Sequence, residues 1–459
     1  MTRHHSCSGQ QKRTGQWTTI LFSLLFCLLG VGYSQSSEEC DQPAELTFTL
    51  WGSPFEKQAI LDATDAFNAS HPCIQVRAQH IPNTAYAEKI TTMLAAGDPP
   101  DVAYLSESQA FPWAQEGTIL DLAKYFANQP ADESLLETTY YNFDGDKLMG
   151  TGLATGIILL YYNEDIFDAA GVDLPPTKAA DAWTWDEFVE VAKKLTKDRN
   201  GNDATSADFD PQNIDTYGIA FPQWWGGYLP FILSNGGRIV NDEGTEMMIN
   251  QPEAVEALQQ MQDLIYVHHV APTPAQSQAL PSADVMMQSR KVAMSIDGMW
   301  KVVDFSQLGM NWGMGVLPRF KKPETVVLSA PKVIFSATDY PDQAFEFYKY
   351  ISDPEQVELF KGGLWSPLEE RYFTDPEKTA EWLEGEPGVY PPEAKDVLVD
   401  YTLGHASYQP PAYWLKNVGQ IFSEAIDPAM DLLWNGTLTA QEAMDQAAQK
   451  ATPLLEGRW

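Results

Sequence analysis

Between residues 45 and 105 the hydrophobic pattern switches repeatedly between two periods. Glu45-Leu46-Thr47-Phe48-Thr49-Leu50-Trp51 alternates apolar and polar side chains as a strand does. Phe55, Ala59, Ile60, Ala63, Ala66 and Phe67 then recur at helical spacing, and Ile74-Gln75-Val76-Arg77-Ala78 returns to the strand period. Ile90, Met93 and Leu94 mark a second helix, which Gly97-Asp98-Pro99-Pro100 breaks, and Asp101-Val102-Ala103-Tyr104-Leu105 reads as a third strand. Strand, helix, strand, helix, strand is the signature of an α/β unit, with parallel strands and helices packed on both faces. Ligands of such sheets collect at the carboxyl ends of the strands. Here those ends carry Trp51-Gly52-Ser53 and Ser106-Glu107.

A chain of 459 residues exceeds one small core, so two or three lobes are expected. A second region begins near Leu159-Leu160-Tyr161-Tyr162-Asn163. Thr184-Trp185-Asp186-Glu187 forms a capping box opening a helix that buries Phe188, Val189, Ala192 and Leu195. Pro252 starts another helix, with Val255, Leu258, Met261 and Leu264 as its stripe. Val292 to Ile296 and Val326 to Phe335 are strand-like. From Pro341 the pattern is mostly helical, with Phe345, Phe347, Tyr348 and Ile351 inward, and the last capping box pairs Thr439 with Glu442. No internal repeat or low-complexity tract interrupts it.

Arg3, Lys12 and Arg13 precede an apolar run from Ile20 to Val31, and Gly32-Tyr33-Ser34 follows with small residues at the positions a signal peptidase reads. That run is short of the roughly 20 residues a membrane-spanning helix needs. Residues 1–34 therefore read as a cleaved signal peptide, and the mature protein as periplasmic or otherwise extracytoplasmic. Cys27 follows Phe26 and Cys40 follows Glu39, so neither has the small preceding residue a lipid anchor requires. Cys40 and Cys73 remain in the mature chain, each just ahead of an expected strand. If those strands are parallel neighbours, the two thiols share a sheet edge and can form a disulfide.

The 63 acidic against 29 basic residues give a formal charge of −34, which repels nucleic acid and anionic lipid and suits a neutral or cationic ligand. There is no Walker loop, no Gly-x-Ser-x-Gly and no His-Glu-x-x-His. Gly150-Thr151-Gly152 lacks the third glycine of a dinucleotide loop, and no cofactor is expected. Asp198-Arg199-Asn200-Gly201-Asn202 alternates oxygen ligands as a calcium loop does, with Asp198, Asn200 and Asn202 as candidates. The glycine is misplaced for an EF-hand, however, and a solvated polar turn is the plainer reading.

The positive signal is aromatic. Several of the 14 tryptophans stand beside glycine or proline in loops: Trp224-Trp225-Gly226-Gly227, Gly298-Met299-Trp300, Gly363-Leu364-Trp365 and Pro411-Ala412-Tyr413-Trp414. Sugars offer flat C–H faces and hydroxyl edges, so rigid indoles with a few carboxylates suit them. Capping of local cores is the alternative role for each ring.

Taken together, Leu50-Trp51-Gly52, Leu94-Ala95-Ala96-Gly97-Asp98-Pro99-Pro100-Asp101-Val102, Tyr161-Tyr162-Asn163-Glu164-Asp165-Ile166-Phe167, Thr184-Trp185-Asp186-Glu187-Phe188, Asn235-Gly236-Gly237, Lys291 to Trp300 and Gly315-Val316-Leu317-Pro318 run in an order that resembles the extracellular solute-binding proteins of ABC importers, of the maltose, glycerol-phosphate and multiple-sugar type. The resemblance implies a two-lobed periplasmic-binding-protein fold with hinge strands and a helical C-terminal part. It puts 38–154 and 292–330 in the first lobe, and 155–291 and 331–459 in the second. It implies a cleft lined by Trp51, Ser53, Ser106, Glu107, Trp224, Trp225, Trp300, Trp365, Tyr413 and Trp414, with Trp300 and Trp414 as stacking platforms and Glu107 as hydroxyl acceptor. Thr155-Gly156 stands where maltose binders often place a carboxylate, which argues against maltose itself. The implied protein is a monomer that captures a sugar by hinge closure and delivers it to a membrane permease, without catalysis. A polyamine or glycerol phosphodiester ligand, a secreted glycoside hydrolase and a sensor partner without transport are the other readings.

Overall fold

The computed structural model describes residues 40, 43–127, 129–130, 134–407 and 414–459; the expected signal peptide lies outside them. The first strand, β1 (Ala44–Leu50), is followed by helix α1 (Pro54–Ser70), β2 (Ile74–His80), α2 (Asn83–Ala95), β3 (Val102–Tyr104) and α3 (Glu107–Gln115), which realises the expected alternation. Ser53 caps α1 by accepting the Glu56 N–H at 3.1 Å, and Pro54 occupies the first turn, where its missing N–H is harmless. Ala59, Ile60, Ala63 and Phe67 form the buried stripe of α1, and a fully buried Phe is worth about 1.5–3 kcal/mol.

Both β2 and β3 pair parallel with β1, as expected. The rest of the sheet is antiparallel. It adds β4 (Tyr140–Phe143), β5 (Lys147–Gly152) and a strand from far along the chain, β12 (Pro331–Ile334), in the order β2-β1-β3-β12-β5-β4. Because Ala44 sits opposite Ile74, the residues ahead of β1 and β2 meet at one end of the sheet. Cys40 and Cys73 are bonded there as a disulfide, their Cα atoms 5.4 Å apart.

The second sheet is built on β6 (Gly156–Asn163), buried at every position. Its neighbours are β9 (Val292–Gly298) on one side and β11 (Thr325–Leu328) with β10 (Trp312–Gly315) on the other. Outward from these lie β8 (Ile214–Ala220), β7 (Lys197–Asp198) and β13 (Ala406–Ser407). This corrects the expected apportionment of 292–330 to the first lobe: β9 exchanges antiparallel hydrogen bonds with β6 and runs parallel to β8, so both β9 and β11 belong to the second sheet. The chain returns to the first sheet only at β12. Residues 331–364 then pack on the first core, through Phe347, Tyr348 and Phe360, rather than with the second lobe. A later crossing follows Leu364, where Thr155 and Ser366 pair their backbones at 2.8 and 3.0 Å beside the β5–β6 connection.

Helices cover the second sheet. Trp185–Leu195 opens with the expected Thr184/Glu187 capping box and buries Phe188, Val189, Ala192 and Leu195. Pro252–Tyr266 and Ala440–Ala451 pack into the same core, the latter capped by Thr439 and Glu442. A helical run from Val418 to Trp434 is wound more loosely over Phe422–Ile426. Among the described residues no helix is long and apolar enough to cross a membrane.

Candidate functional site

Four tryptophans form a row where the two lobes meet. Trp225 stands edge-on to Trp224 with ring centroids 4.9 Å apart, Trp224 lies 6.2 Å from Trp300, and Trp300 lies 5.7 Å from Trp365. Trp300 packs against the cores of both lobes. Glycines set the position of three of these rings. A Cβ at Gly226 would fall into the Trp224 indole and one at Gly298 into the Trp300 indole, while one at Gly156 would approach the Trp365 ring to 3.2 Å. Each indole thus lies directly on backbone, which fixes its plane. The absence of a side chain at Gly156, beside Thr155, is what admits Trp365.

A cavity of about 620 Å³ opens beside this row, within the range of small-molecule sites. The first lobe contributes Ser106, Glu107 and Ser108 at the start of α3; the second contributes Gln223, Trp224, Trp225 and, from the helical run, Gly419, Phe422, Asp427 and Asp431. A Cβ added at Gly419 would stand 3.5 Å from the Ser108 side chain across the lobes. Trp224 is 40 % exposed, which a ring serving only a core would not be.

Carboxyls in this region are held in protein rather than water. Burial pushes Glu107 up to about 7, partly offset by its own backbone N–H and by Tyr141, whose hydroxyl stands 3.4 Å from Oε1. Burial lifts Asp297, on β9, to about 6, offset by the Gly298 N–H, the Lys301 charge and the Trp300 side chain. Burial also raises Glu56, 4 % exposed, to about 7, with Trp365 and the Ser53 backbone offsetting part of the rise. Even so, Glu56 Oε1 and Trp365 Nε1 are both buried without a hydrogen-bond partner of good geometry. Gly52 is needed beside Glu56: its φ of +136° suits glycine, and a Cβ there would strike the carboxylate.

These shifts carry a sign. A carboxyl whose pKa is higher folded than unfolded binds protons on folding, so its contribution is full below the unfolded value near 4.5 and is lost as pH rises through the folded value near 7. The ligand-free protein should therefore lose stability between these limits. Glu56→Gln should reduce the difference in unfolding free energy between mildly acidic and mildly alkaline buffer by about 3 kcal/mol. Urea titrations at a series of pH values check this, and a variant profile parallel to that of the parent would exclude it.

Of the residues named from sequence, Ser106, Glu107, Trp224 and Trp225 line the cavity, and Trp300 and Trp365 extend the row. Trp51 stands edge-on to Tyr86 and Tyr104 at 4.8 and 5.5 Å in the first lobe, and the Ser53 hydroxyl is engaged in capping α1. Trp414 packs against the first core with the Arg458 guanidinium 5.7 Å from its ring, and it is not among the described residues that line the cavity. Tyr413 lies outside the described residues. Asp198 is turned inward. Its carboxylate accepts from the backbone N–H groups of Asn200, Asn202 and Asp210 and from the Asn202 side chain, which organises the turn around an acceptor instead of leaving it open to calcium. Among the described residues no group of three acidic, His or Cys side chains is placed to hold a metal ion. Sequence reasoning missed Glu56, Asp297, Asp427 and Asp431; the only available hint was that Glu56 and Asp297 stand next to glycine–tryptophan stretches.

The profile of the bacterial extracellular solute-binding protein family matches residues 53–358. An arabinooligosaccharide-binding protein of Halalkalibacterium halodurans is 28% identical over 217 residues, 46% of this chain and 43% of that protein; the match spans less than half of that relative. A galactooligosaccharide-binding protein of Bacillus subtilis is 22% identical over 431 residues, 94% of each chain. Among solved structures, an ABC substrate-binding protein of Listeria monocytogenes in complex with cycloalternan superposes with a TM-score of 0.75 at 24% identity, covering 90% of this chain and 99% of that one. A cyclic alpha-maltosyl-1,6-maltose binding protein from Arthrobacter globiformis gives 0.68 at 20% identity, over 90% and 99%. At these identities the superpositions establish the two-lobed fold.

Proposed function

Because the chain belongs to the bacterial extracellular solute-binding proteins, we propose that it captures an oligosaccharide in the interlobe cavity and delivers it unchanged to the permease of an ABC importer. The observation that carries this is the tryptophan row at the lobe junction, with carboxylates beside it and a cavity walled by both lobes. Indole faces take the C–H face of a pyranose, and carboxylates accept from its hydroxyls. The relatives named for arabino- and galactooligosaccharides support the same ligand class.

The working cycle follows from the two walls. A sugar held by Glu107 from the first lobe and Trp224 from the second makes its full set of contacts only when the lobes are together, so it draws the population toward the closed form. A nearly complete shift requires a preference of about 5.5 kcal/mol for that form. Two stacked rings and several charge-assisted hydrogen bonds formed on closure supply energy of that order. The permease would read the closed arrangement from outside the cytoplasmic membrane, with a single copy of the protein as the carrier.

Thermal unfolding of the mature protein against mono- and oligosaccharides tests the reading. A sugar at 100 times its dissociation constant should stabilise the fold by about 2.7 kcal/mol and be recovered intact. A panel of sugars that leaves the transition unmoved, or a sugar recovered cleaved, would exclude it.

A further inference from the structure

The cavity is unusual in its charge. Glu107 from the first lobe and Asp427 and Asp431 from the second converge on it, and no Lys or Arg is among the described residues that line it. Lys416 and Arg458, on neighbouring segments, are turned to the indoles of Trp459 and Trp414. Asp427 and Asp431 stand one turn apart on the helix Asp427–Trp434, a like-charge spacing that weakens a helix, and no cation is paired with either among the described residues. Asp427 is raised by burial and by Asp431. Across the cavity Glu107 is held toward its neutral form by burial, and a cation beside it would favour the charged form instead. Both effects are relieved if the ligand itself brings the counter-charge.

We infer that the oligosaccharide taken by this cavity carries a protonated amine, as an oligomer of an amino sugar does, and that the amine sits between Glu107 and the Asp427/Asp431 pair. This rests on the sugar-binding reading and narrows it. The tryptophans hold the ring faces and fix the register; the amine neutralises charge on both lobes and so couples recognition to closure. A neutral sugar can still donate hydroxyls to the same carboxylates, but it leaves the repulsion in place. Discrimination between amine and neutral ligand is therefore the quantity at issue.

Calorimetric titration of the mature protein with a β-1,4-linked glucosamine trimer, its N-acetylated counterpart and maltotriose, at low and high salt and at a pH where the amine is charged, separates the possibilities. The glucosamine trimer should bind at least tenfold tighter than either neutral trimer, and its advantage should shrink as salt screens the pair. In a D427N/D431N variant its affinity should fall at least tenfold more than that of a neutral trimer. Neutral trimers binding as tightly as the glucosamine trimer would overturn the amine assignment and leave sugar capture standing. Failure of the glucosamine trimer to bind would likewise overturn the amine assignment, while sugar capture itself stands or falls with the wider thermal-unfolding panel.

Discussion

Trp300→Ala should weaken sugar binding by roughly 30- to 150-fold, about 2–3 kcal/mol. Trp300 is the ring in contact with both cores, flanked by Trp224 at 6.2 Å and Trp365 at 5.7 Å and seated on Gly298. Its removal deletes a platform and lets both neighbours lose the ring that fixes their planes, so the effect exceeds the loss of one contact area. It also leaves a void between the lobes, and the fold should lose about 3 kcal/mol. Binding must therefore be measured by calorimetry well below the unfolding transition. Trp300→Phe, which keeps a flat face, should recover most of the affinity. An alanine variant that binds as the parent does would remove the row from the site.

Breaking the Cys40–Cys73 bond should likewise lower stability but spare affinity. The bond closes a loop of 33 residues, for which restriction of the unfolded chain is worth about 3–4 kcal/mol. It lies ahead of β1 and β2, at the amino ends of the strands, whereas Ser106 and Glu107 follow β3 at its carboxyl end. A C40S/C73S variant should unfold at lower urea by that amount and bind sugar within about threefold of the parent. A loss of affinity matching that of Trp300→Ala would show that strain at the bond reaches the cleft.

What the sequence discloses here is whatever is local. The period changes from Glu45 to Leu105, the Thr184/Glu187 and Thr439/Glu442 boxes and the cysteines flanking two adjacent strands are all decided within short stretches, and the structure shows each of them. The allotment of β9 and β11 fails because a strand's own pattern says that it is half or fully buried, not which sheet accepts it. Asp427 and Asp431 are unreadable for a related reason: nothing in a helix with ordinary surface acids reveals that Glu107, some 320 residues earlier, lies across the same cavity. The Arg458 guanidinium beside the Trp414 ring is equally unreadable, because an indole in a proline-containing loop looks the same in sequence whether it meets a ligand or a side chain of its own fold. Glu56 is hidden by its position in the first turn of α1, where an acid is welcome for the helix dipole alone.

The place of β12 between β3 and β5 has a consequence for biosynthesis. Until Ile334 has left the ribosome, the first sheet exists only as two unjoined pieces, β2-β1-β3 and β5-β4, each with a raw inner edge. Neither lobe is a contiguous stretch of chain, so no truncation releases one of them as an independent fragment. The first sheet of a nascent chain built this way cannot be completed until nearly three quarters of the chain is made, and a polypeptide that must be threaded through a translocation channel before it folds gains time from that order of strands.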